Sequence, residues 1–353
     1  MTMRLGVYGG SFNPPHLGHL RAALFFQQSL ALDQVLIVPA KEAPLKTAPA
    51  AVSGGDRLEL CRRTFPFPVS DMELRRPGAS YTVDTLRDLH AQHPGAELFL
   101  LVGEDQREKF HLWRDWEEIL RLAELFVLPR AGEGVEGFIP LEISSTEIRL
   151  RLLLEEDCSA YLAPQALAYI HEKRLYQPLT PERLHHSRCV AEAAQALALR
   201  YGADPKQARL AGLLHDCAKS MTLDAQQSLC ERYGKPLRPE DLIAPPVWHA
   251  FAGEAFLALA CGVADPEVLS AVRWHTLGHA GMTLLEECVY VGDLISADRD
   301  YPDVERVRAL AARDLHAASI YILEYIFAKR RKKGDRPPHP DSLAWYNDLK
   351  GVY

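Results

Sequence analysis

The 353-residue sequence contains no run of about 18 uncharged apolar residues, the length that a membrane-spanning helix requires. No hydrophobic core of a signal peptide follows the first residues, and the seven cysteines are scattered without a CxxC pair. These absences argue against a membrane-spanning protein and against a secreted protein stabilised by disulfides. We therefore expect a cytoplasmic chain with reduced thiols.

The sequence also has no excess of positive charge. The 40 Lys and Arg residues stand against 47 Asp and Glu residues, the formal net charge is −7, and neither half is basic. A protein that owes its affinity to nucleic-acid phosphates usually carries a basic excess, so nucleic acid is not the expected partner. The one basic block, KRRKK at residues 329–333, fits the solvated C-terminal end of a helix, with a contact to RNA or anionic lipid as the alternative.

Three nucleotide and metal signatures are missing as well. The sequence has no GxGxxG after a strand, no GxxxxGK[ST] and no HExxH. The sequence therefore lacks the motifs that identify nicotinamide dehydrogenases, P-loop ATPases and zincins.

Short apolar runs alternate with helix-like segments through the first half of the chain. The runs that we predict to be strands lie at residues 4–8, 34–38, 97–102 and 125–128. Continuous apolar runs suit strands that are buried on both faces, and their alternation with helices is typical of a parallel sheet. We predict an α/β doubly wound domain over residues 1–177, with its ligand beyond the carboxyl ends of the strands.

The pattern changes at the proline-containing segment 176–182. Beyond it the strand patterns end, and Ala- and Leu-rich periodicity predicts an all-α domain over residues 178–353. The clearest predicted helices lie at residues 190–201, 205–216, 251–261 and 304–328. Two domains also agree with the chain length.

In the first half, residues that could bind a ligand are most concentrated in GGSFNPPHLGH, residues 9–19, directly after the first predicted strand. Adjacent glycines let the backbone approach a ligand closely, and His16 and His19 project from one face of the opening helical turn. With the free N–H groups of that turn they form an anion site suited to a polyphosphate. The alternative is a tight turn with two structural histidines. A second segment, ISSTEIR at residues 143–149, caps a helix and places Arg149 one turn in, within reach of a phosphate.

The HxGH turn resembles the nucleotidyltransferase superfamily, and ISSTEIR resembles its second phosphate motif. The intervening segments at residues 41–46, 80–86, 102–105 and 110–113 resemble bacterial nicotinate mononucleotide adenylyltransferases, so the likeness covers about residues 3–176. It implies a nucleotidyltransferase, Rossmann-like fold. It also implies that ATP, with Mg²⁺, and nicotinate mononucleotide give deamido-NAD and pyrophosphate. Such a transfer needs positioning and charge neutralisation rather than a protein nucleophile.

The resemblance also implies residue roles. ATP-binding roles fall on Gly9, Ser11, Phe12, His16, His19, Ser144, Ser145, Thr146 and Arg149. Substrate contacts fall on Lys46, Thr82, Asp105 and Trp113, the indole stacking on the pyridine ring. Catalytic roles fall on His16, His19, Arg149 and Lys46. Two segments depart from the family pattern: EAPLK at residues 42–46 lacks a phosphate-side histidine, and Gly103-Glu104-Asp105 adds a negative charge.

The second half contains histidines and aspartates at separated positions. His215 and Asp216 stand in AGLLHDCAK, an otherwise apolar helical stretch. Burying an ionisable pair there is costly without a partner, and a divalent cation is a suitable one. Imidazole and carboxylate ligands together suit Fe, Mn, Co or Zn, and the residue types leave these metals open.

The pattern H…HD…H…H…D resembles the HD-domain phosphohydrolases. The segments at residues 183–187, 215–219, 248–250, 274–278 and 291–295 resemble bacterial HD-domain hydrolases that cleave diadenosine tetraphosphate symmetrically, and the likeness covers about residues 181–350. It implies two metal ions, the first held by His186, His215, Asp216 and Asp293. The second would be held by His249 and His275, with Asp216 as a bridging, catalytic ligand. Lys219 and Arg273 are either polyphosphate contacts or ordinary surface charges.

Together these patterns predict a bifunctional enzyme whose partners are ATP, nicotinate mononucleotide and diadenosine tetraphosphate. The oligomeric state stays open. Two alternatives for the second half also stay open: hydrolysis of another nucleotide phosphoanhydride, or a nucleotide-sensing module that contacts RNA through residues 329–333.

Overall fold

The computed structural model describes residues 2–41, 52–128, 138–176, 179–332 and 337–351. The chain divides into two compact units, Met1–Tyr176 and Gln177–Tyr353. The first unit alternates strands with helices, and the described part of the second is helical. The predicted fold class, a parallel α/β domain followed by an all-α domain, is therefore confirmed.

The first unit contains a sheet and its connecting helices. In chain order the described elements are β1 (Arg4–Gly10), α1 (Leu17–Ser29), β2 (Gln34–Pro39), α2 (Gly54–Thr64), α3 (Met72–Arg75), α4 (Thr82–Gln92), β3 (Glu97–Gly103), α5 (Glu104–Arg107), a 3₁₀ turn (Phe110–Leu112), α6 (Trp116–Leu122), β4 (Glu124–Leu128), α7 (Ser145–Leu153) and α8 (Pro164–Lys173).

The four strands are parallel and lie in the order β2-β1-β3-β4. The chain runs outward from β1 to β2 and then returns to place β3 on the other side of β1. The carboxyl ends of β1 and β3, at Gly10 and Gly103, therefore flank the point where the strand order reverses. Open α/β sheets bind their ligands at this point.

Alternating side chains of the sheet enter two hydrophobic clusters on its opposite faces. On β3, Leu98, Leu100 and Val102 belong to one cluster, while Phe99 and Leu101 belong to the other. Both faces are covered, so the strand is apolar at successive positions and shows no polar alternation.

The second unit consists of helices. Its described elements are α9 (Pro181–Tyr201), α10 (Pro205–Leu214), α11 (Leu223–Arg232), α12 (Pro239–Leu242), a 3₁₀ turn (Pro245–Val247), α13 (Trp248–Ala260), α14 (Pro266–Trp274), α15 (Leu284–Ile295), α16 (Val304–Ala311), α17 (Leu315–Lys332) and α18 (Pro340–Lys350). Across the described ranges, no helix is both long enough and apolar enough to cross a bilayer.

Three helices of this unit begin with the same device, a capping residue followed by proline. The side chains of Thr180, Asp204 and Asp265 accept hydrogen bonds from backbone N–H groups in the first turns of α9, α10 and α14. Proline at the next position needs no hydrogen-bond acceptor and already has a helical φ. The sequence thus determines where these helices begin.

The predicted single helix at residues 304–328 was wrong, because the chain forms two helices there, α16 and α17. Asp314 lies between them, and its carboxylate accepts a hydrogen bond from the backbone N–H of Ala317 at 2.9 Å. An aspartate that caps a new helix interrupts the old one without disturbing the apolar periodicity. The helix predicted at residues 205–216 ends at Leu214, just before the histidine–aspartate pair.

Candidate active sites

The segment 9–19 joins β1 to α1 at the carboxyl edge of the sheet. Gly9 and Gly10 are the last residues of β1 and pair with β2. Phe12 has a φ of 43°, in the left-handed region, and its ring packs edge-on against the ring of His19 with centroids 5.3 Å apart. The chain therefore turns sharply between the strand and the helix, with an aromatic ring behind the second histidine.

The two histidines of the turn form one unit. His16 is the N-cap residue of α1, its backbone N–H donates to Nδ1 of His19 at 3.2 Å, and the ring centroids are 3.7 Å apart. Gly18 leaves room for this stack, since a Cβ there would lie 2.9 Å from Nδ1 of His16. Burial lowers the pKa of His16 to about 4, so its imidazole is neutral at pH 7.

The second phosphate motif begins another helix. Ser144 is the N-cap of α7, and its Oγ accepts a hydrogen bond from the backbone N–H of Glu147 at 3.1 Å. The first backbone N–H groups of α1 and α7 have no hydrogen-bond acceptor within their own helix. Helix starts of this kind favour anions.

The structure brings the two phosphate motifs into direct contact. Oγ of Ser145 donates to the carbonyl of Pro14 at 2.9 Å. The guanidinium of Arg149 donates to the carbonyl of Asn13 at 2.6 Å and to Oγ1 of Thr146 at 2.9 Å. Residues that lie more than 130 positions apart thus form one polar site beside the histidine pair.

The predicted substrate contacts lie in other elements of the first unit. Thr82 is the first residue of α4, and Asp105 belongs to α5, directly after β3. Trp113 follows the 3₁₀ turn, is partly buried, and packs on Phe110 with ring centroids 5.2 Å apart. Lys46, together with the divergent segment 42–46, lies outside the described residues.

One supporting residue of this site was missed in the sequence. Arg57 of α2 is only 2% exposed, and its guanidinium donates to the carbonyls of Ser11 and Lys41 at 2.7 and 3.1 Å. It therefore holds the loops after β1 and β2. An arginine within an amphipathic helix carries no motif, so only the tertiary contact reveals this role.

The second site forms where helices of the second unit converge. Glycines permit the close packing: a Cβ on Gly212 of α10 would lie 2.8 Å from Cα of Ala191 in α9. A Cβ on Gly292 of α15 would lie 3.0 Å from the backbone nitrogen of Ala194, also in α9. These contacts bring the histidine–aspartate pair that follows α10 and the aspartate of α15 close to the histidine of α9.

The carboxylate of Asp216 lies among three imidazoles. Its Oδ1 is 3.1 Å from Nε2 of His249 and 3.6 Å from Nε2 of His275, and its Oδ2 is 3.7 Å from Nε2 of His215. All four residues are buried. Asp216 therefore lies at the centre of this group.

The carboxylate of Asp293 forms a second group beside the first. Its Oδ1 is 3.0 Å from Nε2 of His186 and 3.9 Å from Nε2 of His215. Within each of two sets, His186–His215–Asp293 and His215–Asp216–His275, potential ligand atoms lie within 4.8 Å of one another. The structure thus brings all six predicted ligands together, and it is His215 that the two sets share.

The orientation of two of these imidazoles fits metal binding. Nδ1 of His215 lies 2.7 Å from the carbonyl of Gly212, and Nδ1 of His275 lies 2.7 Å from the carbonyl of Val272. A carbonyl can only accept, so Nδ1 carries the proton and Nε2 presents its lone pair to the cluster. Within the described part of the chain, the buried Nε2 of His215 has no hydrogen-bond partner, so its lone pair is available to bind a divalent cation.

The protonation states of His215, Asp216 and Asp293 favour the same conclusion. Burial lowers the pKa of His215 to about 4, so this imidazole is neutral at pH 7. Burial opposes ionisation of Asp216, but the surrounding imidazoles outweigh it and hold the pKa of its carboxyl well below its usual value. For Asp293, the hydrogen bond from His186 and the neighbouring charges likewise outweigh burial and lower the pKa. Neutral imidazoles and ionised carboxylates are the forms that bind metals.

Cationic side chains flank the cluster on one side. Nζ of Lys219 lies 3.1 Å from Oδ1 of Asp216, and a guanidinium nitrogen of Arg183 lies 3.6 Å from Oδ2. Arg273, by contrast, is paired at 2.7 Å with the buried carboxylate of Glu254. The structure therefore favours an ordinary structural role for Arg273.

Two further residues at this site were missed in the sequence. Oδ2 of Asp298 lies 2.7 Å from Nδ1 of His186, so this carboxylate holds the ring with Nε2 toward Asp293. The guanidinium of Arg299 contacts the carboxylate of Asp293, and its Nε donates to the carbonyl of that residue at 2.8 Å. The stretch SADRD, which begins three residues after Asp293, contains both residues but shows no recognisable spacing.

Comparisons with known proteins separate along the same two units. Residues 7–151 match the cytidylyltransferase-like family model, and residues 183–298 match the HD domain model. A probable nicotinate-nucleotide adenylyltransferase of Opitutus terrae is 38% identical over 193 residues, which cover 50% of this chain and 99% of that protein. A symmetrical bis(5'-nucleosyl)-tetraphosphatase of Bacillus subtilis is 38% identical over 173 residues, which cover 49% of this chain and 92% of that protein.

A solved structure also resembles part of the chain. It is that of an HD superfamily hydrolase from Clostridium acetobutylicum, described as involved in NAD metabolism. It is 31% identical, covers 50% of this chain and 93% of its own, and has a TM-score of 0.48.

Proposed function

This chain belongs to the nicotinate-nucleotide adenylyltransferase family through its first half and to the HD-domain family through its second, and from this premise we propose two specific reactions. The first unit transfers AMP from ATP to nicotinate mononucleotide, giving deamido-NAD and pyrophosphate. The second hydrolyses diadenosine tetraphosphate to two ADP, the class of reaction that its Bacillus subtilis relative is named for. One observation carries the proposal: each unit brings residues far apart in the sequence into its own polar site.

In the first reaction a phosphate oxygen of nicotinate mononucleotide attacks the α-phosphorus of ATP. The bond from that phosphorus to the bridging oxygen breaks, and pyrophosphate leaves with the electron pair. The protein contributes position and charge: Arg149 and the helix starts neutralise the triphosphate, while His16, neutral because of its lowered pKa, acts as a hydrogen-bonding group. Mg²⁺ enters with ATP as part of the substrate.

We assign the ATP contacts to the two phosphate motifs, which contact each other directly. The set is Gly9, Ser11, Phe12, His16, His19, Ser144, Ser145, Thr146 and Arg149, and its arrangement around one turn supports the assignment. Lys46, Thr82, Asp105 and Trp113 are proposed to hold nicotinate mononucleotide, with the indole stacked on the pyridine ring.

In the second reaction water attacks one of the two central phosphorus atoms, and the bridging oxygen leaves as part of ADP. The residues proposed to hold the two divalent metal ions are His186, His215, Asp216, His249, His275 and Asp293. Metal ions bound there would supply Lewis-acid activation of the phosphoanhydride and of the attacking water. Lys219 and Arg183 lie beside Asp216, where they can neutralise phosphate oxygens.

The test uses the full chain and two assays. With ATP and nicotinate mononucleotide, we expect deamido-NAD and pyrophosphate in equal amounts. With diadenosine tetraphosphate and Fe, Mn, Co or Zn, we expect ADP as the sole nucleotide product. Formation of ATP plus AMP would contradict symmetrical cleavage. Hydrolysis of nucleoside triphosphates or cyclic dinucleotides, without cleavage of diadenosine polyphosphates, would identify a different phosphoanhydride as the substrate.

A further inference from the structure

A cavity of about 420 Å³ opens beside the histidine–aspartate cluster of the second unit. Residues from α15, α16, α17 and the loop after α15 line it. Its aliphatic lining residues are Leu294, Val307, Ile322 and Ile326. We call it the tyrosine cavity after the two tyrosines that also line it, Tyr301 and Tyr325. The volume lies in the range of small-molecule sites.

The two tyrosines form the wall of the cavity. Their ring centroids are 5.7 Å apart, the planes are inclined by 36°, and both residues are half-buried. Neither ring is enclosed in the hydrophobic core. Half-buried aromatic faces beside aliphatic side chains suit a flat, aromatic ligand group, because stacking on the rings is favourable and depends little on which base is bound.

Basic side chains form the rim of the cavity. Arg299, Lys329 and Arg330 line it, and Nζ of Lys329 lies 5.9 Å from the ring centroid of Tyr325. Among the described residues that line the cavity, none is acidic. A flat group bound against the tyrosines would therefore need anionic groups to match the rim.

The rim is continuous with the metal cluster through one side chain. Arg299 lines the cavity, and its guanidinium contacts the carboxylate of Asp293 and lies 3.4 Å from Nε2 of His186. A ligand with phosphates at Arg299 would thus extend directly from the tyrosine cavity toward the proposed metal ligands.

We infer that the tyrosine cavity binds one nucleoside-phosphate end of the phosphohydrolase substrate. The base stacks on Tyr301 and Tyr325, and its phosphates pass Lys329, Arg330 and Arg299 on the way to the cluster. This inference rests on the proposed function of the second unit. It also gives the start of the basic block at residues 329–333 a role in nucleotide binding in place of RNA contact.

The kinetic test changes one ring. Tyr325→Ala in the metal-loaded full chain removes a stack, and we expect the KM for diadenosine tetraphosphate to rise roughly tenfold with kcat nearly unchanged. Tyr325→Phe keeps the ring and should keep the wild-type KM. Tyr321→Ala is the matched control, because Tyr321 lies one turn away on α17 and packs instead on the guanidinium of Arg306, 4.5 Å from its ring centroid. Equal KM values for Tyr325→Ala and Tyr321→Ala would overturn the inference.

A second measurement does not depend on hydrolysis or on tolerance of the alanine variant. The full chain is irradiated with 8-azido-ADP, and the labelled peptides are mapped. We expect label on the peptides that carry Tyr301 or Tyr325, and its loss with excess ADP. Label at these peptides in a protein that does not cleave diadenosine tetraphosphate would uphold the cavity and refute the proposed substrate. Cleavage without such label would refute the cavity and uphold the substrate.

Discussion

Removing the carboxylate of Asp298 should weaken metal binding without touching any proposed ligand. Asp298 holds Nδ1 of His186 at 2.7 Å, and the two side chains are only 23% and 14% exposed. Because the carboxylate of Asp298 occupies Nδ1, Nε2 of His186 is directed toward Asp293 and is the ring nitrogen left to bind a metal ion. In Asp298→Ala the ring loses both this orientation and the increased basicity that the carboxylate gives it.

The magnitude follows from the strength of such supporting contacts. Loss of the partner of a metal-ligating histidine typically lowers metal affinity by about 10- to 100-fold, which corresponds to about 1.4 to 2.7 kcal/mol. Asp298 is partly open to solvent, so salt should weaken the contact measurably. Asp298→Asn keeps a neutral acceptor and should lose less affinity than Asp298→Ala.

The assay is a metal titration followed by activity at limiting and saturating metal. We expect Asp298→Ala to bind metal more weakly, to lose phosphohydrolase activity at limiting metal, and to regain most of it at saturating metal. Asp300→Asn is the control, because this exposed aspartate lies two residues away. An unchanged metal affinity in Asp298→Ala would refute the supporting role. A loss that excess metal does not restore would equally refute it.

Three further predictions concern stability. Burial lowers the pKa of His16 to about 4, so between pH 6.5 and 4 the unfolded chain binds more protons than the folded one. The free energy of unfolding therefore decreases as the pH falls through this window. His16→Gln should remove up to about 3 kcal/mol of that decrease, measured by urea unfolding. Gly212→Ala places a Cβ 2.8 Å from Cα of Ala191 and should cost about 1–3 kcal/mol of unfolding free energy and most of the phosphohydrolase activity. Arg238→Ala leaves the buried Asp241 without the guanidinium that contacts it at 2.9 Å, and should cost about 2 kcal/mol, measured by thermal unfolding.

Each of these stability predictions has an outcome that contradicts it. An unchanged pH dependence in the His16→Gln variant would show that folding does not lower the pKa of His16. Full hydrolysis by Gly212→Ala would show that the spacing of α9 and α10 does not set the metal cluster. Arg238→Lys keeps the charge without the two-pronged geometry and should fall between the wild type and Arg238→Ala. Equal stability of all three proteins would refute the role of the pair.

Much of the fold could be predicted because its determinants are local. Each strand is a continuous apolar run, and the observed β1, β2, β3 and β4 lie at the predicted places, extended or shifted by at most two residues. Capping residues followed by proline likewise mark helix starts. The break between α16 and α17 was missed, since Asp314 interrupts the helix without interrupting its apolar periodicity.

Some residues of the candidate sites could likewise be predicted from the sequence, and others could not. His16, His19, His215 and Asp216 stand in compact motifs whose residue types are costly to bury, so the sequence alone singles them out. The contact of Arg149 with the carbonyl of Asn13 was not predicted from the sequence. The supporting residues could not be found, because Arg57, Asp298 and Arg299 act through contacts between distant loops and helices. Their residue types are ordinary at the surface of any helix or loop.

Both activities measured in a single preparation of the Asp216→Asn full chain test the two-site account most directly. The account predicts that bound metal and cleavage of diadenosine tetraphosphate fall roughly 100-fold or more, while adenylyl transfer to nicotinate mononucleotide stays at the wild-type rate. Loss of both activities in a chain that remains folded, or retention of both, would contradict it.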